Sequence, residues 1–322
     1  MLQDRVLLKP MVKLIGNMHG NEPVGREVLL ALAKYLLENY EDNERVRDIV
    51  DNIDIHILPS LNPDGFEESV VGVCRGYHVG SGRHNTNNID LNRAFPTWDN
   101  IDQTVDELKQ GREPEVVAMI DWIFSQPFVL SANFHDGAVV ANYPYDDSHS
   151  VSGVKSPTPD DQTFIALSSV YANNHRTMSQ GSGLCQNDNF PGGITNGAEW
   201  YVVEGGMQDF NYLFSNCMEI TIELSCCKYP KPEKLQGHWE DNKEALLSYL
   251  EAVQSGVRGF VTTPDNDPVP NATIEIEGFE KNITTSYFGE YWRLLAAGTY
   301  RLEFIELRLD NNTMISESEP RV

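Results

Sequence analysis

The sequence predicts an α/β domain followed by a small all-β sandwich, on three observations. Apolar strand-like runs alternate with amphipathic helical runs as far as about residue 255. One of those runs ends at His135-Asp-Gly137, and open α/β sheets place their ligands at such strand ends. From Gly256-Val-Arg-Gly259 onward the texture changes to short alternating runs separated by turns, with no helical period.

Taken in order, residues 1–11 are a short lead-in. The run Met11-Val-Lys-Leu-Ile15 reads as buried strand, expected over 12–18. Pro23 stands at the first helical position, and Val24, Val28, Leu32, Tyr35 and Leu36 keep helical spacing, so a helix is expected over 23–40. A second short helix follows at 45–50. Ile53, Ile55 and Ile57 alternate with Asp54 and His56, which marks a strand, and His56 reads as a structural histidine. Asn62-Pro-Asp-Gly65 is a turn cluster. Residues 72–98 are rich in Gly, Asn and Arg with little hydrophobic period, and a long irregular segment inside a compact domain is usually functional.

A helix is expected over 113–124, a buried strand over 128–134, a polar loop over 146–162, a helix over 163–173 and another Gly- and Asn-rich loop over 181–206. Met218-Glu-Ile-Thr-Ile-Glu-Leu224 is a strand with Ile220, Ile222 and Leu224 on one face and Glu219, Thr221 and Glu223 on the other. The last helix is expected over about 242–254. In the second domain strands fall near 261–262, 272–277 and 300–304, and 308–322 reads as a frayed tail.

With 322 residues there is room for one large domain and a small one. Forty percent hydrophobic and 10% aromatic residues support a sizeable core and exclude a disordered chain. The formal charge of -24, from 24 basic and 48 acidic residues, argues against nucleic acid and against an anionic membrane surface. It is compatible with cationic substrates. No apolar run approaches the roughly 20 residues of a membrane span, and the first residues do not form a signal peptide. Five cysteines allow at most two disulfides. Asn-x-Thr sequons at Asn271, Asn282 and Asn311 favour the secretory pathway or the extracellular space.

The chemistry gathers around Gly16-Asn-Met-His-Gly-Asn-Glu-Pro23. His19 and Glu22, three apart at a strand–helix junction, can converge on one point. Imidazole nitrogen and carboxylate oxygen are ligands of catalytic Zn²⁺, which takes three protein groups and leaves a fourth position for water. Glu223, at the end of an otherwise core-like strand, must be paired, metal-adjacent or functional. Arg83 and Arg93 offer the planar donors that a carboxylate-gripping site needs.

Six ordered segments are similar to the zinc metallocarboxypeptidases of the regulatory branch, carboxypeptidases D, E, M and N. They are Gly16-Asn-Met-His-Gly-Asn-Glu22, Pro59-Ser-Leu-Asn-Pro-Asp-Gly-Phe66, Asp90-Leu-Asn-Arg93, Ser131-Ala-Asn-Phe-His135, Gly205-Gly-Met-Gln-Asp209 and Ile222-Glu-Leu-Ser-Cys-Cys-Lys-Tyr-Pro230. The resemblance runs over about residues 12–305. It implies a mixed, twisted sheet with helices on both faces over 1–255, then a transthyretin-like β-sandwich over 256–322.

Carried over residue by residue, the resemblance implies one Zn²⁺ held by His19, Glu22 and His135, with Asp90 bonded to the outer nitrogen of His19. Glu223 matches the general base and Arg83 the stabiliser of the oxyanion. Asn92 and Arg93 match the pair that binds a terminal carboxylate, and Tyr201 the tyrosine that closes over substrate. Asp146 and Gln208 match the receptors of a C-terminal Arg or Lys, so the expected partners are peptides and proteins with such ends, cut by a monomer. Cys74 and Cys185 are expected to bridge to the Cys226-Cys227 pair, leaving Cys217 free.

In this family a helix and a strand pair usually precede the first zinc ligand. Only 18 residues precede His19, so a missing edge strand and an unpaired sheet edge are expected. The closing strands of the second domain are replaced by residues 307–322, so that domain is expected to be truncated. Asp136 stands where the family often has Gly, and Ala94 where it often has Asn. Two other readings stay open: a catalytically inactive module binding peptide C-termini or a partner protein, and a deacylase on small amino-acid conjugates.

Overall fold

The structure, a computed structural model, describes residues 8–77, 80–148 and 152–305. Its first unit is built on a six-stranded sheet in the order β2-β1-β3-β6-β4-β5. The strands are β1 (Met11–Gly16), β2 (Asp54–Leu58), β3 (Phe128–His135), β4 (Val139–Tyr143), β5 (Ile194–Asn196) and β6 (Met218–Leu224). β2, β1, β3 and β6 run parallel, and β4 lies antiparallel to β6, so the sheet is mixed.

The alternation of side chains along the strands divides the interior into two cores. Val12 and Leu14, Leu130, Ala132 and Phe134, and Ile220, Ile222 and Leu224 share one cluster with the helices Val24–Asn39, Asp161–Asn174 and Leu235–Glu251. Ile15 faces the other way, into a cluster with the helices Pro114–Ser125 and Met207–Phe214. Helices therefore cover both faces, as expected.

That second face also carries polar side chains that the central strands bury. Lys13, Ser131 and Glu219 are register partners across β1, β3 and β6. Lys13 Nζ lies 3.1 Å from Glu219 Oε2 and donates to Asn211 Oδ1 at 2.7 Å, and Ser131 donates its hydroxyl to Glu219. Two rows further on across β3 and β6, the same face ends in His135 and Glu223, which are also register partners.

The sequence reading differs from the structure at several elements. The first strand stops at Gly16 rather than 18, because Asn17 turns the backbone to φ 56°. Asn62-Pro-Asp-Gly65 is not a bare turn. Asn62 caps the helix Pro63–Glu68 by accepting the Gly65 N–H. The 181–206 segment holds β5 and a short helix, Gly197–Trp200. The last long helix begins at Leu235, seven residues before the expected start. Both β4 and the helix Met207–Phe214 escaped the sequence reading.

From Val257 on, two small antiparallel sheets form the β unit. One pairs β7 (Val257–Phe260) with β10 (Glu290–Arg293), and the other orders β11-β8-β9 from Leu302–Ile305, Thr273–Ile276 and Ile283–Thr284. Trp292 and Leu294 of this unit join the first core. Cys74–Cys227 and Cys185–Cys226 are disulfides, and Cys217 is a buried free thiol, as expected. The expected frayed tail at 308–322, with Asn311, lies outside the described residues.

Removing one partner of the Lys13–Glu219 pair leaves a buried charge uncompensated. Lys13→Met is expected to cost about 3–5 kcal/mol in urea unfolding, and Lys13→Met with Glu219→Leu to recover most of it. Equal losses in the single and double variants would contradict this.

Candidate metal and peptide site

The site lies at the carboxyl ends of β1, β3 and β6, where a parallel sheet opens to ligands. After β1 the chain reverses sharply, and the Asn17 side chain donates to the carbonyls of His19 and Gly20 at 2.9 Å each. At Gly20 a Cβ would stand 2.0 Å from the Gly65 carbonyl carbon, so only glycine lets the two loops close. The turn brings His19 and Glu22 beside His135, the last residue of β3; all three are buried.

Their ligand atoms meet in a tight triangle. His19 Nδ1 is 3.1 Å from Glu22 Oε2 and 3.0 Å from His135 Nδ1, and His135 Nδ1 is 2.9 Å from Glu22 Oε2. The outer nitrogen of His19 lies 2.9 Å from Asp90 Oδ1, which accepts its proton and leaves a lone pair on Nδ1. His135 Nε2 is buried with no hydrogen-bond partner among the described residues. Three electron-rich atoms so close are reconciled by one cation. A tetrahedral zinc with bonds of about 2.0–2.1 Å spans edges of about 3.3 Å between ligands, near the separations found. The residues fit Zn²⁺.

Around the triangle stand charges that hold it in place. Asp90 Oδ2 accepts from Arg83 Nε at 3.0 Å, while Arg83 Nη1 donates to Glu22 Oε1 at 3.1 Å. Burial would raise the Asp90 pKa, but the hydrogen bond from His19 and the Arg83 guanidinium hold it well below the usual carboxylate range. Lys228 also donates to Glu22 Oε1 and to the Asp136 carbonyl. Glu223 faces the same space. Burial first, then the negative charge of Glu22, push its pKa up, and its Oε2 has no hydrogen-bond partner among the described residues. Asp136 turns to the start of the 24–39 helix, accepting the Val24 N–H at 3.1 Å.

A cavity of about 220 Å³ opens on this cluster. Nine of the eleven candidate residues line it: His19, Glu22, His135, Glu223, Arg83, Asn92, Arg93, Asp146 and Tyr201. Arg93 and Tyr201 are exposed at its mouth. Asp90 acts from behind, through His19. Gln208 is not on the wall; it is buried behind it, with both amide atoms unpartnered among the described residues.

Asp146 is 3% exposed and accepts from Asn142 Nδ2 at 2.8 Å. It makes no ion pair among the described residues, and burial pushes its pKa up to about 7, partly offset by Asn142 and Arg93. A Cβ at Gly197 would meet its Oδ1 at 1.8 Å, so the pocket wall also requires glycine there.

Sequence reasoning missed Lys228, Asn142 and Asp209. Lys228 lies inside a segment already matched, but its neighbours Cys226 and Cys227 are exposed and half-buried, so no local pattern marks it as a buried charge. Asp209 accepts the backbone N–H groups of Asp146 and Asp147 at 3.0 and 2.8 Å. Nothing in the local pattern separates it from a surface acid. The disulfide Cys74–Cys227 fastens the 69–77 loop to the segment that carries Lys228.

A family model described as zinc carboxypeptidase matches residues 3–245. The chain belongs to the zinc carboxypeptidase family. A second model, the carboxypeptidase regulatory-like domain, matches residues 256–310, so the zinc carboxypeptidase unit is followed by a transthyretin-like sandwich. Carboxypeptidase D of Drosophila melanogaster is 50% identical over 303 residues, covering 92% of this chain and 21% of that protein. The carboxypeptidase N catalytic chain of Mus musculus is 46% identical over 316 residues, covering 91% of this chain and 68% of that one. The chain thus spans about a fifth of the length of the carboxypeptidase D relatives it matches. The crystal structure of thrombin activatable fibrinolysis inhibitor shares the fold, with a TM-score of 0.58 at 17% identity over 77% of this chain and 63% of that one.

Because Asp90 fixes the His19 tautomer, Asp90→Asn is expected to weaken zinc binding about 10- to 100-fold in chelator competition. His135→Ala should remove stoichiometric binding. Wild-type affinity in the Asp90 variant would contradict this account of the site.

Proposed function

We propose that this zinc carboxypeptidase removes C-terminal Arg or Lys from peptides and proteins, using one zinc at His19, Glu22 and His135. The catalytic unit is residues 1–255 and the sandwich 256–322. The observation that carries the specificity is Asp146: a buried carboxylate on the pocket wall, bonded to Asn142 and without an ion pair among the described residues. A guanidinium entering the pocket supplies the ion pair, whereas a neutral side chain leaves the carboxylate without one. Gln208, its amide unpartnered among the described residues, supplies further donors and acceptors if the wall gives way to a long side chain.

Bound zinc supplies a Lewis acid and lowers the pKa of water in the site. Each surrounding residue then has a task. Asn92 and Arg93 hold the terminal carboxylate of the substrate at the cavity mouth and orient the last peptide bond. Glu223 takes a proton from the attacking water on its free Oε2 and passes it to the nitrogen of the departing residue. Its raised pKa suits a group that must both accept and donate. Arg83 donates to the oxygen that gains negative charge at the scissile carbonyl. Tyr201 covers the bound end and excludes bulk solvent.

The two disulfides fit an oxidising compartment, which supports the secretory pathway or the extracellular space. The chain is proposed to act as a monomer. No helix among the described residues is long and apolar enough to cross a membrane.

Three measurements test this. A dansylated dipeptide ending in Arg should be cleaved far faster than one ending in Phe, and a chelator should stop both; equal rates on the two would overturn the specificity. Glu223→Gln should lower kcat about 10²- to 10⁴-fold while zinc binding stays at the wild-type level; a folded, zinc-loaded wild-type chain that binds peptide without turnover would favour the inactive binding module instead. The third is pH. Asp146 is raised to about 7, so below that pH a cationic guest must displace a proton from it. KM for Arg-ended substrates should rise as pH falls below about 7, by up to about tenfold per unit, with no such trend for Phe-ended ones. Parallel profiles for the two substrates would rule Asp146 out as the receptor.

A further inference from the structure

Asp160 is fully buried just before the 161–174 helix, and it takes one bond from each unit of the chain. Its Oδ1 accepts from Arg293 Nη2 on β10 at 2.7 Å, with both side chains at 0% exposure. Its Oδ2 accepts from Tyr212 OH, also at 2.7 Å. Tyr212 stands on the 207–214 helix, one turn after Gln208 and therefore on the same helical face. Its ring centre is 5.7 Å from that of Tyr145, the residue before Asp146. Asp209 on the same helix holds the backbone N–H groups of Asp146 and Asp147.

Both sides of the proposed side-chain pocket thus hang from one carboxylate, and the second unit supplies its counter-charge. Other contacts fasten the same helix to that unit. Asn216, just past its end, exchanges hydrogen bonds with Thr284 at 2.9 and 3.3 Å, and Lys281 Nζ lies 5.2 Å from the Tyr212 ring centre. The zinc ligands and Glu223 hang instead from the ends of β1, β3 and β6. The two sets of supports meet where Lys13 of β1 bonds Asn211 on that helix and where Asn92 accepts the Met207 N–H.

Resting on the proposed basic-residue pocket, we infer that Arg293 is a positioning residue for specificity: through Asp160 and Tyr212 it sets where Asp146 and Gln208 stand. The sandwich then tunes which C-terminal side chain the first unit accepts. Without Arg293, Asp160 keeps one neutral donor and only the more distant charge of Lys281, and it relaxes by taking up a proton or water. Either change loosens Tyr212 and the helix that carries Gln208 and Asp209. A displacement on the order of 1 Å at a site gripping a guanidinium can cost up to about 100-fold.

The test uses the full chain as wild type, Tyr212→Phe, Arg293→Leu and Arg293→Lys, with peptides that differ only in ending in Arg or in Phe. In Tyr212→Phe and Arg293→Leu, KM for the Arg-ended peptide should rise about 5- to 50-fold with kcat within about twofold. The kcat/KM for the Phe-ended peptide should hold, and Lys at 293 should restore most of the preference. A purely structural staple would lower stability and both activities together, leaving the Arg/Phe ratio unchanged; that result overturns the inference. If Arg293→Leu fails to fold, Tyr212→Phe, which deletes a single oxygen, still decides. A wild-type chain with no preference for Arg would overturn the pocket reading and this inference with it, whereas an unchanged ratio in the variants overturns this inference alone.

Discussion

Three electron-rich atoms, His19 Nδ1, Glu22 Oε2 and His135 Nδ1, stand 2.9–3.1 Å apart in a buried corner, and that closeness asks for a cation. Much of the surrounding structure serves to keep them there. The Asn17 turn and the glycine at 20 set the angle at which the chain leaves β1. Asp90 holds the outer edge of one imidazole, and Arg83 and Lys228 occupy the second oxygen of Glu22. Charges of both signs are buried together here. Such an arrangement is costly unless each charge has partners on every side, and nearly all of these do.

The sheet solves the problem of carrying that site through the alternation of its strands. One face of β1, β3 and β6 is wholly apolar and anchors the domain against three long helices. The other face begins with the Lys13–Ser131–Glu219 row and ends with His135 and Glu223. Four residues separate the Ser131–Glu219 pair from His135 and Glu223 on β3 and β6, so the same periodicity that pins register also aims the groups proposed to act. A slip of one residue in β6 would turn Glu223 into the apolar core. The second unit adds a support from outside, through the Arg293–Asp160 pair.

How much of this could be read from the chain depended on whether a residue's task was local. The β1 strand, the 24–39 helix and β6 showed their periods openly, and the two-faced reading of β6 matched the structure because both faces were already sorted by residue type. Asn62 was legible as a turn former, but its capping of a helix was not, since the next residues have little helical propensity. β4 and the 207–214 helix are short, and their partners are remote, so local pattern left them unmarked. Among site residues, His19, Glu22 and His135 could be found by chemistry and strand position. Lys228, Asp209 and Asp160 could not, because each acquires its meaning from a neighbour 63 to 206 positions away. The disulfide pairing, in contrast, followed the expectation, and Gln208 lay behind the pocket wall rather than on it.

The central claim is that one zinc ion joins the ends of β1 and β3. The most direct measurement is an anomalous difference map, recorded from crystals of the full chain on either side of the zinc absorption edge. The account predicts a single strong peak within bonding distance, about 2.0–2.2 Å, of His19 Nδ1, His135 Nδ1 and a Glu22 oxygen. A folded chain with both disulfides formed and no zinc peak at that corner, or with its zinc elsewhere, would contradict it.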